Sequence, residues 1–152
     1  MFNKELLVIL VSALPISELR GGIPLGFYYG FGPLKTFLLA IIGNGIIILP
    51  LFFFLNFMTN FLRQFKIPNQ FFNWLFKKTL AKRKLIDKYG PLGLMLFTAI
   101  PLPYTGAYSA CCLAYLLGIK IKKAAFFIFL GVLIAGIIVL LTSLGVLKII
   151  SF

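Results

Sequence analysis

The chain has 152 residues, 61% of them hydrophobic and 12% charged, with fifteen Lys and Arg against three Asp and Glu for a net charge of +12. That is too apolar for a soluble domain with a polar shell, and a sequence without histidine excludes imidazole metal sites and histidine acid–base chemistry. The basic residues lie between and beside apolar segments, which fits membrane topology and anionic headgroups rather than nucleic acid.

Uncharged runs cover residues 21–34, 36–62, 89–119 and 124–147. The last three exceed the ~20 residues that cross a bilayer as a helix. The expectation is one integral membrane domain over 1–152, multi-pass in the plasma membrane. Charge follows the first apolar stretch at once, which argues against a signal peptide there.

The first segment, 5–32, carries Leu14-Pro15-Ile16-Ser17-Glu18-Leu19-Arg20-Gly21-Gly22-Ile23-Pro24. Pro15 should end one half-helix and Ser17 should cap the next, with Gly21, Gly22 and Pro24 keeping the break open. Glu18 and Arg20 are charges in an apolar stretch, each costing roughly 2.5–3.5 kcal/mol at the centre of a membrane helix. A broken helix with charges at membrane depth is the outline of a transporter site. Glu18 has three readings: a fixed partner of Arg20 or of backbone N–H groups, a proton-coupling group, or the anionic site for a cationic drug. Arg20, two residues away, opposes the last.

A long unbroken helix is expected over 33–62. Within it Gly43-Asn44-Gly45 reads either as close helix packing with a cross-helix amide bond, or as a place where Asn44 lines a site. Residues 63–88 hold eight basic residues and Asp87. Their aromatic and leucine residues, Phe71 to Leu80, recur at helical spacing, which predicts a basic amphipathic helix on the cytoplasmic surface.

The second broken segment, 89–118, contains Pro101-Leu102-Pro103-Tyr104-Thr105-Gly106-Ala107-Tyr108. Pro101, Pro103 and Gly106 mark the break, and Thr105 should cap the helix that follows. Tyr104 and Tyr108 are either substrate hydrogen-bonders or interfacial anchors. Adjacent Cys111 and Cys112 read as packing residues rather than a redox or metal site. A long helix closes the chain over 122–150, with Gly131, Ala135 and Gly136 as packing positions.

A shift of 86 residues aligns Ala13 with Ala99, Pro15 with Pro101, Tyr29 with Tyr115, Gly32 with Gly118 and Gly45 with Gly131. The expected organisation is therefore repeat one (5–62), linker (63–88) and repeat two (89–150). If both broken segments turn back as hairpins, eleven basic residues fall inside and three outside; if both cross, the count is ten and four. The positive-inside rule and the Pro and Gly tips favour hairpins. The fold class is then all-α integral membrane, with two inverted repeats, each a re-entrant helical hairpin followed by a transmembrane helix. Half-helix N-termini at the midplane, together with Arg20, make an anion receptor. Glu18 has no second buried carboxylate, and no base stands out for Ser17, Thr105 or Cys111, so no enzyme, metal or cofactor is expected.

The runs Glu18-Leu19-Arg20-Gly21-Gly22-Ile23-Pro24, Gly43-Asn44 and Pro101 to Ala107 resemble the signature of the small multidrug export family, over almost the whole chain. That resemblance extends to the DedA membrane proteins, several of which are implicated in returning undecaprenyl phosphate across the membrane or in scrambling lipids. It implies facing re-entrant hairpins with Glu18 and Arg20 as the charged positions of the first. The second hairpin departs from DedA proteins, which carry an arginine near their Pro motif.

The functional expectation is a secondary transporter, coupled to protons or another cation, that moves an anionic amphiphile such as a polyprenyl-phosphate lipid. Its substrate-binding residues are Arg20, Glu18, Ser17, Asn44, Thr105 and Tyr104, with Glu18 coupling to protons. The alternatives are an exporter of small hydrophobic or cationic drugs and a gradient-independent lipid scramblase. Membrane lipids are the expected partners, with a homodimer to shield the broken helices.

Overall fold

A computed structural model describes residues 3–64, 83–102 and 105–150. Among them eight helices form: α1 (Lys4–Ala13), α2 (Glu18–Tyr28), α3 (Pro33–Ile46), α4 (Ile48–Gln64), α5 (Arg83–Tyr89), α6 (Pro91–Ala99), α7 (Ala107–Leu116) and α8 (Ile121–Ile150).

The chain breaks where proline dictates. Leu14 and Ile100 each precede a proline and are extended, with ψ of 141° and 112°. The proline ring disfavours the helical region for the residue before it, so α1 and α6 stop there. α2 then folds back along α1, because Lys4 at the start of α1 lies 5.7 Å from the ring centroid of Tyr29 beyond the end of α2. These helices have 10 and 11 residues, roughly 15 Å each, half of a ~30 Å hydrocarbon core.

Gly21, Gly22 and Pro24 were expected in the first break; they lie inside α2 instead. The two glycines are there for close packing, since a Cβ on Gly21 would strike Ser17 and one on Gly22 would strike Ser12. Pro24 is exposed and costs α2 only the hydrogen bond to the Arg20 carbonyl. The expected unbroken helix over 33–62 is also corrected. It is interrupted at Ile47, and Pro50 sits in the first turn of α4, where a missing N–H is tolerated. Taken through that interruption, residues Pro33–Phe61 and Ile121–Ile150 are two helices long and apolar enough to cross a membrane.

The two halves share local hydrogen bonding. After α2, the N–H groups of Tyr29, Gly30 and Phe31 bond the carbonyls of Leu25, Phe27 and Gly26. After α7, Leu117, Gly118 and Ile119 bond Leu113, Tyr115 and Ala114, each position 88 residues on. Gly30 and Gly118 supply the left-handed residue that this helix ending requires, at φ 78° and 67°. Before the breaks the offset is 86. Gly43 packs on Ile9 and Ser12, and Gly131 packs on Met95 and Thr98. The second half therefore carries two extra residues within its break. Gly131 corresponds to Gly43 and not to Gly45, and Gly118 to Gly30 and not to Gly32.

α3 and α8 form the centre and run antiparallel. Gly45 meets the ring of Phe129, while Gly136, later in α8, meets Phe37 and Ile41, earlier in α3. Ala40, Ile41, Ile128, Val132, Ala135 and Val139 are buried between the helices. α1 packs on α3 and α6 on α8, α2 touches both central helices, and α7 fits against α4 and α8. α5 packs on α6 and buries Ile86. Most of the expected amphipathic linker, residues 65–82, lies outside the described residues.

Candidate functional site

The two breaks meet. Glu18 opens α2 from one side, and its carboxylate lies against the backbone of Gly106 at the start of α7. A Cβ at position 106 would fall within the contact distance of both carboxylate oxygens. The carboxylate also faces the backbone N–H of Tyr108. An anion thus sits on the free N–H groups and the positive dipole end of α7. Glu18 reaches it from a left-handed backbone, φ 44°, the sole positive φ outside glycine among the described residues. Such a conformation costs of order 1–3 kcal/mol and persists where the surroundings enforce it.

Two further bonds join the tips. Nη2 of Arg20 donates to the Leu102 carbonyl at 2.7 Å, and the Tyr108 hydroxyl donates to the Ala13 carbonyl. Both acceptors belong to the broken segments, where carbonyls lose their helical partners. Among the described residues no ion pair joins Glu18 to Arg20.

The expected helix caps are corrected. Ser17 has helical backbone angles and makes no cap; its hydroxyl donates to the Val11 carbonyl at 2.5 Å, closing the end of α1. Thr105 also makes no cap. Its hydroxyl accepts from Leu102 N–H at 3.0 Å and donates back within the break, 2.6 Å from the Ile100 carbonyl. The cap position of α7 belongs to Gly106, which has no side chain to offer. Glu18, from the other half, supplies the acceptor.

The structure therefore brings Glu18, Arg20, Thr105, Gly106 and Tyr108 together and turns Ser17 inward. Asn44 stands apart on the buried face of α3. Pro103 and Tyr104 lie outside the described residues. Pro15 and Pro101 are in the breaks as expected. Leu14, Ile16, Ile100 and Leu102 are exposed around the polar contacts, Ile16 to 93%. Cys111 is buried and Cys112 half-buried, with neither in a disulfide.

Three features escaped sequence reasoning. The Leu102 carbonyl carries no sequence signal, because any residue supplies one. Gly106 reads in the sequence only as a break. Ser12 is fully buried with an unsatisfied hydroxyl, as is the Asn44 carbonyl oxygen, and a lone serine in an apolar run gives no hint of this.

A family model described as "putative small multi-drug export protein" matches residues 18–138, well over half of the chain. No curated protein and no solved structure matches. The family and the two long apolar helices together assign the chain to a membrane and to a transporter-type role.

Proposed function

We propose, for a chain that belongs to the small multi-drug export protein family, that the two breaks are facing re-entrant hairpins of inverted halves and carry an anionic amphiphile by alternating access. Support for the inversion comes from the antiparallel central helices and from helix endings that recur 88 residues apart. Half-length helices on each side of the first break support re-entry.

The observation that carries the transport reading is Glu18 seated on the N-terminal end of α7. A carboxylate of the protein occupies the position that a phosphate or carboxylate of a substrate would take. An incoming anionic head competes with Glu18 for those N–H groups and draws Arg20 off the Leu102 carbonyl. The displaced Glu18 then takes up a proton, since an unpaired charge at that depth is costly. This couples substrate entry to protons and frees the two tips from each other. The exposed Leu14, Ile16, Ile100 and Leu102 receive the apolar tail. A polyprenyl-phosphate lipid has this chemistry. The assembly is a homodimer in the plasma membrane with the basic 63–88 segment cytoplasmic, and it performs no catalysis.

The family description favours a second reading, export of small hydrophobic or cationic drugs, with Glu18 as the cation site. A scramblase would use the same tips without an ion gradient. Native mass spectrometry of the purified protein with polyprenyl phosphate and a lipophilic quaternary cation in competition separates these, followed by flux in proteoliposomes. The expected result is selective retention of the phosphate lipid, lost in Arg20→Gln, and flux that collapses with the proton gradient. Retention of the cation in both wild type and Arg20→Gln, lost in Glu18→Gln, would give the drug-export reading. Lipid movement indifferent to any gradient would give the scramblase.

A further inference from the structure

The contacts between the tips follow a pattern. At the 88-residue offset of the helix endings, Gly106 is the counterpart of Glu18 and Tyr108 is the counterpart of Arg20. Glu18 therefore meets its own counterpart. Two residues further on, each half sends a donor to a carbonyl of the other. Arg20 reaches Leu102, and Tyr108 reaches Ala13.

The two cross-ties differ in charge. Arg20 brings a guanidinium and Glu18 a carboxylate, so an incoming anionic head acts on both of their contacts. The Tyr108 tie joins a neutral hydroxyl to a neutral carbonyl and carries no charge for a head to neutralise.

They also differ in what they hold. Leu102 lies in the second break, whereas Ala13 is the last residue of α1. Its carbonyl is at the helix end, where intrahelical partners run out, and the Tyr108 hydroxyl takes that place. The segment between α6 and α7 can follow Arg20 as the tips move. α1 cannot follow Tyr108 without leaving α3, on which Gly43 seats it. The bond from Tyr108 thus joins helix to helix, and the tips part only when it breaks.

We infer that Tyr108 is the latch of the gate: its bond to Ala13 holds α7 to α1 while cargo is absent, and it is the last tie to break once an anion has drawn off Glu18 and Arg20. This rests on the reading that the tips part during transport. One neutral hydrogen bond shifts an equilibrium by about three- to tenfold. Beside the two charged contacts it keeps the idle gate shut, and alone it yields readily.

Cys111 reports the state of the gate. It is fully buried and lies one turn beyond Tyr108 on the same face of α7. Protein carrying Cys112→Ser in lipid nanodiscs is labelled with a water-soluble methanethiosulfonate reagent, with and without polyprenyl phosphate. Without cargo, Tyr108→Phe should label about three- to tenfold faster than wild type, at an unchanged Tm. Tyr115→Phe removes a hydroxyl that meets Asn56 at 3.5 Å elsewhere on α7, and should label like wild type. Ala135→Cys, placed between the central helices with Cys111→Ser and Cys112→Ser, should stay protected with or without Tyr108→Phe, which separates opening of the gate from unfolding.

A Tyr108→Phe variant that labels no faster than wild type would overturn the latch. If cargo still speeds wild-type labelling in that case, the transport reading stands without it. If cargo never changes wild-type labelling, the transport reading fails, and the cargo-free comparison alone decides the latch. Should Tyr108→Phe not fold, Arg20→Gln combined with Gly106→Ala removes both charged contacts and leaves Tyr108 in place. Cys111 protected in that variant supports the latch, and labelling at the rate of the denatured protein refutes it.

Discussion

Gly106→Ala should abolish most transport while leaving the protein folded. The added Cβ would meet the two carboxylate oxygens of Glu18, so the side chain must leave the start of α7. These atoms are the far end of a flexible side chain, which can swing away at little cost to the fold. Gly106 itself is extended, φ 178°, a backbone that alanine adopts without strain. The expected loss of flux is about a hundredfold, the size that a misplacement of ~1 Å produces in a positioned site. Helix content and Tm should stay close to wild type. Glu18→Asp, one methylene shorter, should restore part of the flux in the Gly106→Ala background. Undiminished flux in Gly106→Ala would mean that the carboxylate position is immaterial to transport.

Gly43→Ala and Gly131→Ala should have the opposite profile, with large losses of stability. Here the obstacle is backbone. A Cβ at 43 would strike the carbonyl of Ile9, and one at 131 would stand 2.6 Å from the carbonyl of Met95. Neither carbonyl can move without shifting α1 or α6 off its long helix. Overpacking of this kind costs about 1–3 kcal/mol, readable as a lower Tm or denaturant midpoint in detergent. Gly145 faces open space. Gly145→Ala should be neutral or stabilising by about 0.4–1 kcal/mol, because it removes freedom from the unfolded chain. If Gly43→Ala melted like Gly145→Ala, the close seat of α1 on α3 would be wrong.

The breaks were legible in the sequence because proline acts locally. Pro15 and Pro101 disfavour helix at the residue before them, and both helices stop there, whereas Pro24 is carried inside α2. Glu18 and Arg20 were legible because charge in an apolar run needs a partner. Which partner was not legible. Sequence proximity points to Ser17 and Thr105 as caps, whereas the acceptor at α7 arrives from a residue 88 positions earlier, a contact that only the tertiary fold creates. Arg20 finds a carbonyl 82 residues away for the same reason. An ungapped shift of 86 matches the packing before the breaks but falls two residues short of the helix endings after them, since a loop can absorb two residues while a helix cannot. Ser12 stayed hidden because a serine in an apolar helix ordinarily bonds its own backbone, as Thr98 does.

The extra length of the second break bears on which way the molecule leans. Two identical halves facing each other would make the inward-open and outward-open forms equal in energy, and the protein would rest on neither side. Here the second break carries two extra residues, so exchanging the shapes of the tips does not return the same molecule. If the tips work by the alternating access proposed above, the idle carrier favours one face of the membrane, and it waits for its cargo there without any gradient to hold it.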